Sequence, residues 1–323
     1  MAGKWIQPFP SSSDLSELRL DNTAEQAWLD LEIVSKGQSI ARFRKADLKL
    51  GHRLEVQLKM AQAMAGLLAP RFNGQHLRIQ LHDEDPGISC LRMDAPLNAD
   101  LDDSPLIPDP YCLGTNGYEG YRKQLQKNPL PSWRDRLPII FWRGSTTGSK
   151  NITPSNLAEN LRYQLCYHSL DMPAYLDARF NRVVQALDEK NQVGVEKLLR
   201  KINLMGTYVD PWHASLHAWL IDIDGNVNSW GLLWKLLSGC CVLRVQSNRQ
   251  QWFHPKIVPW EHIVPIAPDL SDLREKIDWC LKNHKHCEAI AAAGEEIGKQ
   301  IVADINLDLC TATVRYAQRW FDK

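Results

Sequence analysis

The sequence predicts an α/β fold built on a mostly parallel sheet. From residue 138 onward, short apolar runs that read as buried strands alternate with helical patterns, and two of the runs end directly in a Gly-containing turn. The chain has 323 residues, which fits two domains at about 100–200 residues each and is ample for a core without disulfides or metals. Its 38 Lys and Arg balance 38 Asp and Glu, an argument against a protein that binds nucleic acid by broad phosphate neutralisation. Eight cysteines without a repeated spacing do not make a secreted disulfide scaffold. The first residues, MAGKWIQPFPSSS, lack the apolar run of a signal peptide, and the longest apolar stretch, Trp230 to Val245, is broken by Lys235 and Arg244. A cytoplasmic protein with reduced thiols is therefore expected. Twelve tryptophans are an excess; core filling accounts for many, and indole is also a favoured stacking platform for sugars and bases.

In chain order, the first fifty residues are polar and weakly patterned. Leu54, Leu58, Ala61, Met64 and Leu68 then recur at helical spacing over Arg53 to Leu68, with Pro70 as the expected stop. His76 to Leu81 alternates like a strand and leads into an acidic turn, Asp83 to Gly87. Residues 94–138, rich in Pro, Asp and Gly, read as irregular, and so long a loop region is usually functional. Ile139 to Trp142 reads as a buried strand, followed by a helix over about Pro154 to Tyr167 and an amphipathic segment from Asp177 to Leu204. A second strand, Trp219 to Ile223, ends in the turn Asp224-Gly225-Asn226 and is followed by an apolar helix. Strands at Cys241 to Val245 and Ile263 to Ile266 come next. Ser271 is the expected N-cap of a helix reaching about His284, and two more helices complete the chain.

The segment Arg143 to Lys150 is the strongest local signal for chemistry. A strand that ends in a Gly/Ser/Thr turn before a helix offers backbone N–H groups and hydroxyls to phosphate oxygens, and Arg143 adds a fork of donors. The spacing only approximates a P-loop, because three residues rather than four separate Gly144 from Gly148 and Ser149 intervenes before Lys150. Asp222-Ile223-Asp224 has the D-x-D form that holds a divalent metal in some transferases, although a strand end with a turn explains it as well. Cys280 with His284, His286 and Cys287 matches no structural zinc spacing. Cys240-Cys241 reads as a buried pair of small residues, and no G-x-S-x-G elbow is present.

Taken together, these pieces resemble glycosyltransferase family 90, which includes capsule-associated and lipopolysaccharide-modifying transferases and the protein O-glucosyl/O-xylosyltransferases. Trp133-Arg134-Asp135-Arg136 with Pro138, running into Phe141-Trp142-Arg143-Gly144-Ser145, is similar to one family block. Leu220 to Gly225 with Ser229 and the apolar helix to Gly239 is similar to a second, and Pro259-Trp260-Glu261-His262-Ile263-Val264-Pro265-Ile266 to a third. A weaker match lies at Leu81 to Pro86. The resemblance covers about residues 75–300 and implies a GT-B fold, two Rossmann-like lobes facing across a cleft. It implies an N-terminal acceptor-side lobe over 1–135, a C-terminal nucleotide-sugar lobe over 136–305, and a final helix over 306–323 packing back on the first lobe.

The activity implied is inverting transfer of a hexose or pentose from a UDP-sugar to a hydroxyl of a surface glycan, lipopolysaccharide or capsule. It needs no metal and no cofactor besides the donor, and contact with a membrane would be peripheral at most. Carried over by position, Arg143, Gly144, Ser145 and Thr146 with Arg162 would hold the diphosphate. Asp224, Gly225, Asn226, Ser229, Lys235 and His262 would border the nucleotide. Two positions depart from the family. Ser104 stands where members supply the catalytic carboxylate, so Asp103 beside it and then Asp109 are the candidate bases. Leu233 stands where members carry a basic residue, and Lys235 projects about 200° away on a helix. The alternatives are a catalytically impaired nucleotide-sugar or glycan-binding relative and, from the near-P-loop alone, a sulfotransferase- or kinase-like enzyme.

Overall fold

The computed structural model describes residues 17–34, 38–83 and 87–321, so part of the acidic turn lies outside the described residues. They form two compact units. One is the chain up to Gly120 with Arg249–His254 and the chain from Gln300 onward; the other is Tyr121–Asn248 with Pro255–Lys299.

The first unit opens with strands where the sequence shows only weak pattern: β1 (Glu17–Asp21), β2 (Leu29–Ile33) and β3 (Gln38–Arg42). In β2, Leu29, Leu31 and Ile33 are buried while Asp30 and Glu32 alternate outward. Helix α1 (His52–Phe72) buries Leu54, Met60, Ala61, Met64 and Leu68, and it continues one short step past Pro70. A proline so near a helix end forfeits one N–H bond without ending the helix there. Strand β4 (His76–Ile79) completes a mixed sheet of order β1-β3-β2-β4, in which only β1 and β3 run parallel. The segment after it holds β5 (Ala95–Pro96) and the single turn α2 (Pro110–Leu113).

The second unit begins with α3 (Glu119–Lys127), a helix inside the stretch that reads as irregular. Its parallel sheet is assembled from β6 (Leu137–Ser145), β7 (Leu176–Arg182), β8 (His217–Asp222) and β9 (Cys241–Val245). Between these strands lie α4 (Leu161–Asp171), α5 (Glu189–Lys201), α6 (Pro211–Ala214) and α7 (Leu232–Leu237). Strand β7 falls at the head of the segment that reads as an amphipathic helix, because Leu176, Ala178 and Phe180 are buried at period two and the helical spacing starts only after Asp188. After β10 (Arg249–Gln250), which pairs with β5 in the first unit, β11 (Val264–Ile266) closes the parallel sheet. Then come α8 (Leu273–Lys282), with Asp272 rather than Ser271 at its N-cap, and α9 (His284–Phe321). The last is one helix of 38 residues where two are expected.

The sheet order β7-β6-β8-β9-β11 is, in strand order, 2-1-3-4-5. This is a doubly wound α/β arrangement, whose direction of strand addition reverses between β6 and β8. Ile140, Trp142, Trp219 and Ile221 enter a core with Leu165 of α4, Val195 of α5 and Ile277 of α8. The alternate residues Phe141 and Leu220 meet Ala214 of α6 and Cys240. The eight cysteines form no disulfide, and no helix among the described residues is long and apolar enough to cross a membrane. Trp219 is fully buried at the centre of the sheet, edge-on to Trp133 and His284 at 5.7 and 5.1 Å. Trp219→Ala is expected to cost roughly 3–5 kcal/mol in urea denaturation; a loss below ~1 kcal/mol would show that this core closes over the missing ring.

Candidate functional site

The carboxyl ends of β6 and β8 are where an open α/β sheet of this order offers a crevice to ligands. The residues of β6 alternate in their duties there. Trp142 turns to one side and lies across Gly144, where an added Cβ would fall 2.5 Å from the ring. That contact is the physical reason for glycine two residues after the tryptophan. Arg143 turns to the other side, with its guanidinium 4.4 Å from the Phe141 ring centroid. Its Nη2 donates to Asp177 of β7 at 2.7 Å, and Nη1 donates to the Asp177 and Trp142 carbonyls. Arg143 also lines a cavity of about 200 Å³ together with Phe141, Asn181, Tyr208, Trp234 and Lys235.

Beyond Ser145 the chain turns away, and Arg162 of α4 holds that turn against the one after β8. Nε donates to the Asp224 carbonyl at 2.9 Å and Nη2 to that of Ile223 at 3.0 Å; Nη1 donates to the Ser145 carbonyl and to Thr147 Oγ1 at 3.1 and 2.6 Å. Burial pulls this guanidinium down to about 10, so it stays charged at neutral pH. Gly225 sits where a Cβ would come within 2.7 Å of Thr147 Oγ1. The two turns are joined again by Gly148, whose N–H donates to Asn226 Oδ1 at 3.1 Å. Gly148 itself has φ +107°, a conformation that favours glycine. Thr146 looks inward: its hydroxyl donates to the Val184 carbonyl and accepts from the Val184 N–H.

At the end of β8, Asp222 is fully buried and accepts from Lys235 Nζ and Ser229 Oγ, each at 2.6 Å, and from Arg244. Burial alone would raise its carboxyl, but the Lys235 and Arg244 charges with these bonds outweigh it and hold the group at about 2. The D-x-D pair is therefore divided in its roles. Asp224 Oδ1 accepts from the Ser229 N–H at 2.8 Å, while Oδ2 is buried with no hydrogen-bond partner among the described residues. Lys235 reaches this network although Leu233, two residues earlier, is buried in the core.

Residues 114–308 of the chain match the family model described as Glycosyl transferase family 90. The chain belongs to that family. It is 30% identical over 179 residues to uncharacterized protein 179R of Invertebrate iridescent virus 6, a stretch covering 49% of this chain and 15% of that protein. It is 25% identical over 201 residues to protein O-glucosyltransferase 3 of Rattus norvegicus, covering 62% of this chain and 35% of the relative. The chain thus spans well under half the length of these two proteins. Among solved structures, Anabaena HepE in complex with UDP-glucose aligns at 12% identity with a TM-score of 0.39, over 60% of this chain and 52% of that one.

The matched stretch contains the turns around Arg143, Arg162, Asp224 and Ser229 and leaves both candidate bases outside it. Asp103 is exposed in the first unit, on a cavity of about 570 Å³ that Ser89, Arg92, Asp100 and Ser104 also line. Ser104 is buried, and its hydroxyl accepts from the Cys90 N–H at 3.2 Å. Asp109 is the buried N-cap of α2 and accepts from the Cys112 N–H at 2.9 Å; burial raises its carboxyl to about 7. It is not among the residues that line the cavity beside Asp103.

His262 lies two residues before β11. Its Nδ1 accepts from the Val258 N–H at 3.0 Å, which closes a local turn. Sequence reasoning missed three residues at the switch point. Asn160 caps α4 through the Tyr163 N–H and donates to the Thr146 and Thr147 carbonyls; Asp177 anchors Arg143; Arg244 shares Asp222. An N-cap asparagine just before the helix after the turn was a usable signal for the first.

Asp222→Asn leaves Lys235 and Arg244 buried without their counter-charge and is expected to cost roughly 3–5 kcal/mol in urea denaturation. A near-neutral result would mean that water or a rearranged Asp224 compensates. Asp109, with its folded value near 7 above an ordinary 3.8, favours the protonated folded state. Its contribution is therefore fully present below about pH 4 and lost as pH rises through 7. Asp109→Asn keeps an acceptor for the cap and is expected to gain stability over the native chain at pH 8 relative to pH 5, on the order of 1–4 kcal/mol. Parallel stability curves for the two proteins would remove the buried-carboxyl explanation.

Proposed function

We propose that this chain is an inverting, metal-independent glycosyltransferase that binds a UDP-sugar at the turns after β6 and β8 and moves its hexose or pentose to a hydroxyl of a glycan. The observation that carries the reading is the meeting of two family-90 loops at the reversal point of the sheet. Four cations, Arg143, Arg162, Lys235 and Arg244, are set there against three carboxylates, Asp177, Asp222 and Asp224. The surplus positive charge suits a diphosphate. The orphaned Asp224 Oδ2 suits a hydroxyl or N–H of the nucleoside, since a buried acceptor costs stability until a donor reaches it.

In the reaction, the acceptor oxygen bonds to the anomeric carbon as the bond from that carbon to the β-phosphate oxygen breaks. A carboxylate removes the acceptor's proton, and negative charge builds on the departing diphosphate. Fixed guanidinium and backbone N–H donors oriented toward that charge lower the barrier, because they are arranged before it appears. We assign the proton to Asp103, which is exposed beside a polar cavity, whereas Asp109 is spent on its helix cap.

The acceptor we favour is a lipopolysaccharide or capsule glycan, from the resemblance to the family members that modify such chains. The names of the O-glucosyltransferase relatives support a second reading, a hydroxyl on a protein.

Calorimetry with UDP, UDP-sugars, GDP-sugars and ATP, with and without EDTA, tests the donor. Binding selective for UDP and indifferent to EDTA is expected, with Arg143→Ala weakening it at least about tenfold. Response to ATP alone, or loss of binding in EDTA, overturns the assignment. Tight UDP binding without transfer to any acceptor identifies an impaired relative.

A further inference from the structure

We propose that Trp260 is a stacking platform for a pyranose residue of a neutral glycan, a binding site separate from the donor loops. Trp260 is in the turn that enters β11, an edge strand of the parallel sheet. Its backbone has φ +66°. That conformation is unfavourable for a bulky side chain and persists only where surrounding contacts impose it. The contacts are present. Trp260 N–H donates to the Ile263 carbonyl at 2.7 Å, the His262 N–H to the Val258 carbonyl at 2.9 Å, and the Val258 N–H to His262 Nδ1.

The strained turn spends this conformation on exposing the indole, which is 46% accessible. The ring is nonetheless fixed in orientation. Trp279 of α8 meets it edge to face at 4.9 Å, and Lys276 Nζ stands 5.6 Å from its centroid. Lys276 is in turn held by Asp272 and Glu275 at 3.1 and 3.2 Å. An aromatic face presented rigidly loses little freedom when the apolar C–H face of a sugar settles on it. The carboxylates of Asp272 and Glu275, both held on Lys276, are acceptors for sugar hydroxyls.

The charges exclude an anionic occupant. Lys276 is already neutralised by two carboxylates and Glu261 adds a third, so the patch has no positive surplus for an anionic headgroup or a phosphate backbone. A neutral glycan fits. The proposal leans on the transferase reading only in taking that glycan to be the outer part of the acceptor; its contacts stand without it.

Native electrophoresis of the full chain in gels cast with dextran or xylan tests it. Retardation in at least one gel is expected, unchanged by added UDP. Trp260→Gly, which adopts φ +66° without strain, is expected to fold with an undiminished melting temperature and to bind at least about tenfold more weakly. Trp260→Asn, which also tolerates that conformation, is expected to behave likewise, and Trp260→Phe to retain most of the retardation. The proposal is overturned by unretarded native protein in both gels, by equal retardation of the glycine and asparagine variants, or by release on adding UDP. Binding confined to phosphatidylglycerol vesicles also overturns it, in favour of a membrane contact. The UDP calorimetry above fails or succeeds independently of these outcomes.

Discussion

One guanidinium decides whether the two turns of the second unit act together. Arg162 donates to three backbone carbonyls and one hydroxyl, on Ser145, Thr147, Ile223 and Asp224. Carbonyls at strand ends have left the ladder and need donors, and a planar fork with five N–H groups satisfies several of them at once from one side chain. Trp142 stands 5.6 Å beneath that guanidinium and crosses Gly144. The tryptophan, the glycine, the arginine seventeen residues beyond the strand end and the glycine at 225 are thus one mechanical unit. Each is explained by its neighbour rather than by a ligand.

The hydrogen bonds of these residues are made largely within the protein. Arg162 uses four of its five donors within the protein, and Thr146 spends its hydroxyl on Val184. What they establish is the shape of the turns. Groups with capacity to spare lie beside them: Asp224 Oδ2 has no hydrogen-bond partner among the described residues, and Arg143 lines the neighbouring cavity. The buried trio Asp222, Lys235 and Arg244 works similarly: each charge makes the burial of another tolerable, and the whole fixes where β8 ends.

The legible parts of the sequence were those whose burial is local. Cys241 to Val245 reads as a strand and is one, residue for residue, because it is buried on both sides and four of its five residues, Cys241, Val242, Leu243 and Val245, are apolar. Strand β7 was hidden because its period-two pattern is followed at once by helical spacing, and a single window blends them. The three N-terminal strands were hidden because five residues of alternating Leu and acid mean little without the partners that bury one face. The long C-terminal helix, expected as two, contains Gly294 and Gly298. In the fold they are points of close approach: a Cβ on Gly294 would come within 2.9 Å of the His262 carbonyl, and one on Gly298 within 3.3 Å of Leu236. At the site, the turn after β6 was legible from its glycines and hydroxyls, whereas Asp177 and Arg244 are joined to it only by strand pairing across the sheet.

The position that departs from the family at Ser104 acquires a different meaning in three dimensions. Ser104 is buried, and its hydroxyl holds the Cys90 N–H while the Ser89 hydroxyl donates to the carbonyl of Asp103. A carboxylate at 104 would be enclosed and raised by desolvation, as Asp109 is, and would lose ionised character at neutral pH. With serine there instead, the chain is pinned at 104 and the exposed carboxylate is the one beside it. A general base must be ionised and must reach the proton it removes. Burial at 104 and the helix cap at 109 set those two positions apart from Asp103, which meets the cavity together with Asp100.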